Sequence, residues 1–484
     1  MRDTESMGGS GRPPKPPTLG APRLRRGAPL ILVLALGAAL LAPMRVGAQE
    51  LPAGSPLSRV DGALTMDQAV DLALQQSLRV KAAGADARTM ESMRREALAP
   101  FWPQLSANGY LVNQRMAPNV YSSAGATMAR NYQVFNSDQN RDANVTAMVP
   151  LFSGGRDYYA YRAASRRADA GREMLRGTEV DVAMQARLDY VAALREAENV
   201  RVIGELLREV DERLRVARQM FETGRIPRYY LLRDETERAN ALQMQAMARS
   251  RAEQAVIALK TTLGIGLASA ITLSDRLEAT GATVSVEEGI REASERHPEL
   301  RAAAKQREAA EADVRAAYGT YWPQVSLSYM YDWAWSKSRA WESQAEGTRM
   351  RGDGAEGYSV GVVVTLPIFD GFMRENALNT AKSRVERARQ GEGLVRQQIA
   401  KDVNQAALML TAAEQSVEAS RKGVEQAEEE ARVIRERFES GRGIQLEVLD
   451  AQLARTRARF NAVSALADYQ TALAMWLRAV GRTR

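Results

Sequence analysis

The chain has almost no side chains suited to covalent or metal chemistry: its 484 residues include a single histidine, His297, and no cysteine. Lack of cysteine excludes disulfides, thiolate metal sites, a thiol nucleophile and a cysteine-linked lipid anchor. With one histidine, neither a multi-histidine metal site nor a Ser-His-Asp triad is expected. Carboxylates alone can still catalyse, but no catalytic motif accompanies them. The expectation is a protein that is not an enzyme and needs no cofactor or metal. Its function must then lie in its elements.

Residues 1–48 read as a signal peptide. Arg23, Arg25 and Arg26 precede an apolar run from Pro29 to Leu41, and Val46-Gly47-Ala48 supplies the small-residue cleavage pattern. The alternative is a retained anchor, although the run is shorter than the roughly 20 residues a helical span needs. This leader holds a net charge of +5, so the formal +7 of the chain falls to +2 without it. The rest interleaves both signs, unlike the concentrated basic patch of a nucleic-acid binder. No later apolar run is long enough for a helical span, so a membrane location would require a closed barrel.

The chain is internally duplicated. Leu64-Thr65-Met66-Asp67 matches Val284-Ser285-Val286-Glu287, and Trp102-Pro103-Gln104-Leu105-Ser106 matches Trp322-Pro323-Gln324-Val325-Ser326, both at an offset of 220. Pro150-Leu151-Phe152-Ser153-Gly154 then matches Pro367-Ile368-Phe369-Asp370-Gly371, and Phe221–Arg225 matches Phe438–Arg442, at 217. Leu263-Gly264 matches Val480-Gly481 at the same spacing. The expected organisation is a first repeat over 49–265, a linker over 266–283 and a second repeat over 284–484.

Each repeat predicts the same order of elements. A helix over Asp67–Ala99, or Glu287–Tyr318, ends at Pro103 or Pro323. A strand pair follows, within 104–151 and 324–369. In the second repeat Val325, Leu327, Tyr329 and Tyr331 share one strand face, as do Tyr358, Val360, Val362 and Val364 on its partner. The first repeat carries a weaker version in Leu105, Ala107, Leu111, Val145, Ala147, Val149 and Leu151. Such alternation over about ten residues fits a transmembrane barrel; a half-buried soluble sheet alternates in the same way. Four strands cannot close a barrel, because about eight are needed. Three copies would supply twelve.

Long helical hairpins come next, over 156–263 and 373–480. Their first arms contain no proline and reach roughly 100 Å at 1.5 Å per residue. Ile203, Leu207, Val210, Leu214, Ala217 and Phe221 step by four and three, as do Val424, Ala427, Ala431, Ile434 and Phe438. This is a coiled-coil seam. A narrow seam with charged flanks suits a helical tube wet on both sides, or a plain antiparallel coiled coil. Gly224 and Gly441 end the arms as C′ glycines.

Taken together, the ordered, twice-occurring signals resemble the TolC-type outer-membrane efflux proteins over residues 64–481. Those signals are Thr65-Met66-Asp67-Gln68-Ala69, the two Trp-Pro-Gln segments, Pro150–Gly155 and Phe438-Glu439-Ser440-Gly441 before Glu447-Val448-Leu449-Asp450. The resemblance implies an α+β membrane protein, a homotrimer with a twelve-stranded barrel in the outer membrane of a Gram-negative cell and a twelve-helix tunnel across the periplasm. It implies a passive exit duct in a tripartite efflux pump or type I secretion system, working with a periplasmic adaptor and an inner-membrane transporter. The eight second-repeat strand residues named above would face lipid, and the loops near 114–142 and 332–357 would face outside. The hairpin tips would touch the adaptor through Gly224, Arg225, Gly441 and Arg442. Glu447 and Asp450, one helical turn apart, occupy the positions of the family's acidic pore gate; a solvated acidic helix start explains them as well. Phe438, Gly443 and Tyr230 depart from the family's gate pattern, leaving Asp234 and nearby arginines as substitutes. The family's Asn-Pro survives only as His297-Pro298, which makes His297 a helix-start residue. The competing function is a periplasmic coiled-coil adaptor or scaffold without a pore.

Overall fold

The computed structural model describes residues 60–113, 137–279, 281, 284–338, 355–440 and 442–483. The expected signal peptide therefore lies outside the described residues. The first repeat contains β1 (Gly62–Leu64), α1 (Met66–Gln76), α2 (Leu78–Glu96), β2 (Gln104–Asn113), β3 (Ser137–Phe152), α3 (Arg156–Glu222) and α4 (Arg228–Leu263). After β4 (Ile271–Leu273) the second contains α5 (Val286–Arg296), α6 (Pro298–Gly319), β5 (Gln324–Ser338), β6 (Ala355–Thr365), α7 (Met373–Glu439) and α8 (Gln445–Ala479). The two long arms, α3 and α7, are each 67 residues.

Three sequence expectations change. The helix preceding each strand pair is broken in two. Thr65 starts α1 through a capping box with Gln68, but Ser77 leaves helical geometry at ψ 128°. In the second repeat the break falls at His297, where Pro298 occupies the first helical position. The segment 266–283 is not a bare linker, because β4 pairs in parallel with β1, Gly62 opposite Ile271. The strands also run farther than their apolar alternation. β3 begins at Ser137 and β5 reaches Ser338, because ladder pairing continues between polar residues such as Asn144 and Asp332.

The four long strands form one antiparallel sheet in the order β2-β3-β5-β6. The join between repeats is thus β3 against β5. Beneath the sheet the core is small and alanine-rich. Val182, Ala186, Tyr190, Leu259 and Leu263 cluster around Ala69, Val70 and Ala73. The buried Tyr190 hydroxyl donates to the Leu64 carbonyl at 2.7 Å. Ile399 and Val403, the repeat counterparts of Val182 and Ala186, take the same places in the second repeat with Ala293 and Ala479.

One exchange of volume relates these two cores. Ala69 and Leu259 become Gly289 and Trp476, and a Cβ on Gly289 would lie 2.5 Å from the Trp476 ring. Gly289→Ala is expected to lower stability by about 1–3 kcal/mol through overpacking. Adding Trp476→Leu restores the first repeat's pairing and should recover most of that loss. Thermal unfolding of the single and double variants checks it; equal losses in both would exclude the compensation.

Candidate membrane surface and hairpin-tip site

The register of the sheet brings the alternating apolar residues together. Val325, Leu327, Tyr329 and Tyr331 of β5 stand opposite Val364, Val362, Val360 and Tyr358 of β6. Across the repeat join, Val149, Ala147 and Val145 of β3 stand opposite Leu327, Tyr329 and Tyr331, and Leu105 and Ala107 extend the row on β2. Direct cross-strand neighbours share a sheet face. One face therefore presents a band of Leu, Val, Ala and Tyr four strands wide, largely exposed in the single chain. The other face carries Ser106, Asn108, Asn144, Thr146, Ser326, Ser328 and Ser359 beside Met148 and Met330. There Asn108 donates to Asn144 at 3.0 Å. Aromatic residues bound the apolar band. Tyr331 meets Trp333 edge-on at 4.6 Å at one end, and exposed Trp102, Trp322, Phe369 and Phe372 mark the other. Among the described residues, no helix is long and apolar enough to cross a membrane.

At the far end of the hairpins, both tips close through the same turn. Gly224 adopts φ +69°, and the Arg225 amide reaches back to the Met220 carbonyl at 2.8 Å. The Arg442 amide reaches the Arg437 carbonyl at 2.9 Å. A positive φ closes such a turn without a Cβ clash, which is the reason for glycine there. Arg225 and Arg442 are exposed; Gly441 lies outside the described residues.

Just behind the tips is a buried polar cluster. Asp234 of α4 is fully buried and accepts from Arg213 Nε of α3 at 2.9 Å. The Gln445 amide of α8 also donates to both Asp234 carboxylate oxygens, each at 3.3 Å. Arg213 in turn donates to Gln452, whose backbone carbonyl accepts from Thr456 at 2.8 Å. Farther along, Arg455 pairs with Glu209, and Arg459 bridges Glu205 at 2.7 Å and Glu428 at 2.7 Å. The return arm of the second hairpin is thereby fastened to the outgoing arm of the first. Asp234 was a sequence candidate for this role, whereas Arg213, Gln445 and Gln452 were not singled out. The seven-residue step from Gln445 to Gln452 puts two polar side chains on a helical seam, a signal legible in principle.

Glu447 and Asp450 lie in the first two turns of α8, beside this cluster. Asp450 is exposed. Glu447 is half-buried, with one carboxylate oxygen shielded from solvent and lacking a partner among the described residues.

His297 takes no part in either site. It is buried, and its Nδ1 accepts from the Glu299 amide at 3.3 Å as the cap of α6. Burial holds its pKa below the ordinary value; the Arg478 charge acts in the same direction, while the charges of Glu299 and Asp181 and a hydrogen bond to the Arg478 backbone oppose it. A base with a depressed folded pKa binds its proton more readily in the unfolded chain. Stability is then fully present above about pH 6.5 and falls as pH drops toward the folded pKa, with a limiting slope of about 1.4 kcal/mol per pH unit. His297→Asn keeps a capping acceptor and is expected to flatten that slope. Denaturation midpoints between pH 7 and 5 test this, and an unchanged slope would assign the effect to other groups.

The model of the outer membrane efflux protein family matches residues 69–265 and 289–482. This chain belongs to that family. The efflux protein is 26% identical to Protein CyaE of Bordetella pertussis over 443 residues, 89% of this chain and 86% of that one. It is also 26% identical over 372 residues to the outer membrane efflux protein BepC of Brucella suis, 74% of this chain and 75% of that one. Its fold is similar to the crystal structure of a membrane protein from Pseudomonas aeruginosa, with a TM-score of 0.70 at 20% identity, over 86% of this chain and 90% of that one. The efflux protein is thus an outer-membrane efflux channel, extending into the periplasm. The family match sets aside the reading as a pore-less periplasmic scaffold.

Proposed function

We propose that three copies of this chain close into a twelve-stranded barrel and a twelve-helix tunnel, through which solute delivered by an adaptor-coupled pump diffuses out. The observation that carries this reading is the asymmetry between the two repeats. Within the chain, β3 pairs with β5 and α3 packs on α6 and α8. The counterpart surfaces on β6 and α7, and on β2, α2 and α4, have no comparable packing among the described elements. Val191 is buried but Leu408, its counterpart, is exposed; Ala474 is buried but Ile257 is exposed. A neighbouring copy, docking on β6 and α7 as the second repeat docks on β3 and α3, covers both sets. The two faces differ, so the contact is head-to-tail, the kind that forms a ring when its rotation closes, as three copies of a barrel sector would.

In that ring the Leu, Val and Tyr face looks outward to lipid and the Ser and Asn face inward to water. From Trp322 to Trp333 the chain spans ~36 Å at ~3.3 Å per residue, or ~28 Å along the membrane normal at a ~40° tilt. That agrees with an apolar band of about 25 Å flanked by aromatic girdles. Glu447 and Asp450 together bring six carboxylates to the narrow end, where they act as a cation-favouring gate. The tips, including Gly224, Arg225, Gly441 and Arg442, meet the adaptor.

Single-channel conductance in planar bilayers tests the reading, comparing the mature protein with Glu447→Ala/Asp450→Ala. Discrete cation-selective events are expected, with weaker selectivity and larger conductance in the double variant. Identical channels from both proteins would move the gate elsewhere. Folded, inserted protein without any conductance, even with both acids removed, would count against an open-ended duct.

A further inference from the structure

The buried polar cluster behind the tips has a repeat counterpart in which the charges are reversed. The repeat spacing of 217 carries Arg213 of α3 onto Glu430 of α7. By the same spacing Gln445 corresponds to Arg228, and Asp234 to Ala451. In the cluster, a cation on the long arm meets a carboxylate. In its counterpart the long arm supplies the carboxylate, Arg228 supplies the cation, and the position between them is an uncharged alanine.

Within one chain these two charges go unused. Glu430 and Arg228 are both exposed, and neither makes an ion pair among the described residues. Their neighbours do: Glu428 and Glu429 pair with Arg459 and Arg432, and Arg238 pairs with Asp211. Arg228 also occupies the first position of α4. A cation there opposes the helix dipole, so the charge does not serve its own helix.

We infer that Arg228 of one copy and Glu430 of the next form an ion pair across the boundary between copies. This rests on the ring reading above, in which α4 of one copy lies on α7 of the next as α8 lies on α3. Arg213 and Gln445 both bond to Asp234, so their counterparts flank Ala451. Alanine there leaves room that an arginine side chain can cross. Glu235 takes the place of Gln452 beside Glu430, but Arg218 of its own chain already holds it at 3.4 Å. The pair also fixes the register of the boundary. A copy slipped by one helical turn would set Glu430 against Leu231 or Leu232 instead.

Trimers of the full chain in detergent, heated and resolved by gel electrophoresis, test the pair. Arg228→Glu should favour α4 itself, yet lower the trimer dissociation temperature by several degrees, because carboxylates at 228, 235 and 430 would then gather at each boundary. Adding Glu430→Arg should restore it, since the guanidinium at 430 would lie between the carboxylates at 228 and 235. The ring is checked separately at Leu78 and Leu394, 68% and 66% exposed, the counterparts of Pro298 and Gly177. A Cβ on Gly177 would lie 3.9 Å from the Pro298 Cβ, a separation that a disulfide spans. In a chain without native cysteine, Leu78→Cys/Leu394→Cys should join into covalent trimers, by disulfide or through a short bismaleimide. Covalent trimers, with Arg228→Glu dissociating at the wild-type temperature, would overturn the pair and keep the ring. A loss that Glu430→Arg fails to restore would also overturn the pair. Absence of covalent trimers would overturn the ring reading and the pair together.

Discussion

Asp234→Ala is expected to detach the two hairpin tips from each other and to raise channel conductance. The carboxylate it removes is fully buried and serves two partners on different helices, Arg213 of α3 and Gln445 of α8. Without it the Arg213 guanidinium, mostly shielded from water, keeps the neutral Gln452 as its partner among the described residues. Removing one partner of a buried ion pair costs about 3–5 kcal/mol, because the remaining charge is left uncompensated. The chain need not unfold to relieve it. The cheaper response is for the α8 start to separate from α3, where the next ion pairs along the seam are Arg455–Glu209 and Arg459–Glu205. Hydrogen exchange should therefore accelerate around 205–240 and 445–456 while the Tyr190 core stays protected. Asp234→Ala/Arg213→Met removes both charges and should be much less disturbed than the sum of its parts, a coupling readable by a double-mutant cycle. If Asp234→Ala leaves exchange and conductance unchanged, the cluster is packing and not a latch.

How much of this was legible in the sequence depended on the kind of signal. The duplication is written in short ordered motifs, and Val182 and Ile399, one repeat offset apart, each lie in a buried cluster. The β5–β6 pair was legible because every second residue is Val, Leu or Tyr. The polar ends of β3 and β5 were not, since a ladder beyond the apolar band is held by backbone bonds that leave no pattern in side-chain polarity. Ser77 broke a helix without glycine or proline to announce it, whereas His297-Pro298 did announce its break. The tips were marked by Gly224. The buried cluster behind them was only half visible: Asp234 looks like any helix carboxylate until the fold brings Arg213, Gln445 and Gln452 around it. Such a site joins one repeat to the other across half the chain, and no local periodicity encodes that.

The same repeat logic separates folding from assembly at a pair of glycines. Gly154 and Gly371 are repeat counterparts, with φ +64° and +68°. A Cβ on Gly154 would lie 2.4 Å from the Gly319 carbonyl oxygen and 2.5 Å from Trp322 Cβ, whereas one on Gly371 would meet nothing within 4 Å among the described residues. Gly154→Ala is expected to cost about 2–5 kcal/mol, combining left-handed strain with overpacking against backbone that no rotamer change relieves. Gly319→Ala should behave similarly, its Cβ falling 2.6 Å from the Arg156 nitrogen. In an isolated chain Gly371→Ala bears only the strain, about 1–2 kcal/mol. The ring changes that comparison, because Ala99 and Trp102 of a neighbouring copy take the places of Gly319 and Trp322 beside Gly371, at a wider spacing since Ala99 carries the Cβ that Gly319 lacks. Gly371→Ala should then fold normally as a monomer but lower the temperature at which trimers dissociate, while Gly154→Ala should already impair the monomer. Circular dichroism melts and heated gel electrophoresis separate these outcomes. A Gly371→Ala trimer as heat-resistant as the wild type would mean that no neighbour packs against Gly371, and the docking proposed for the ring would fall with it.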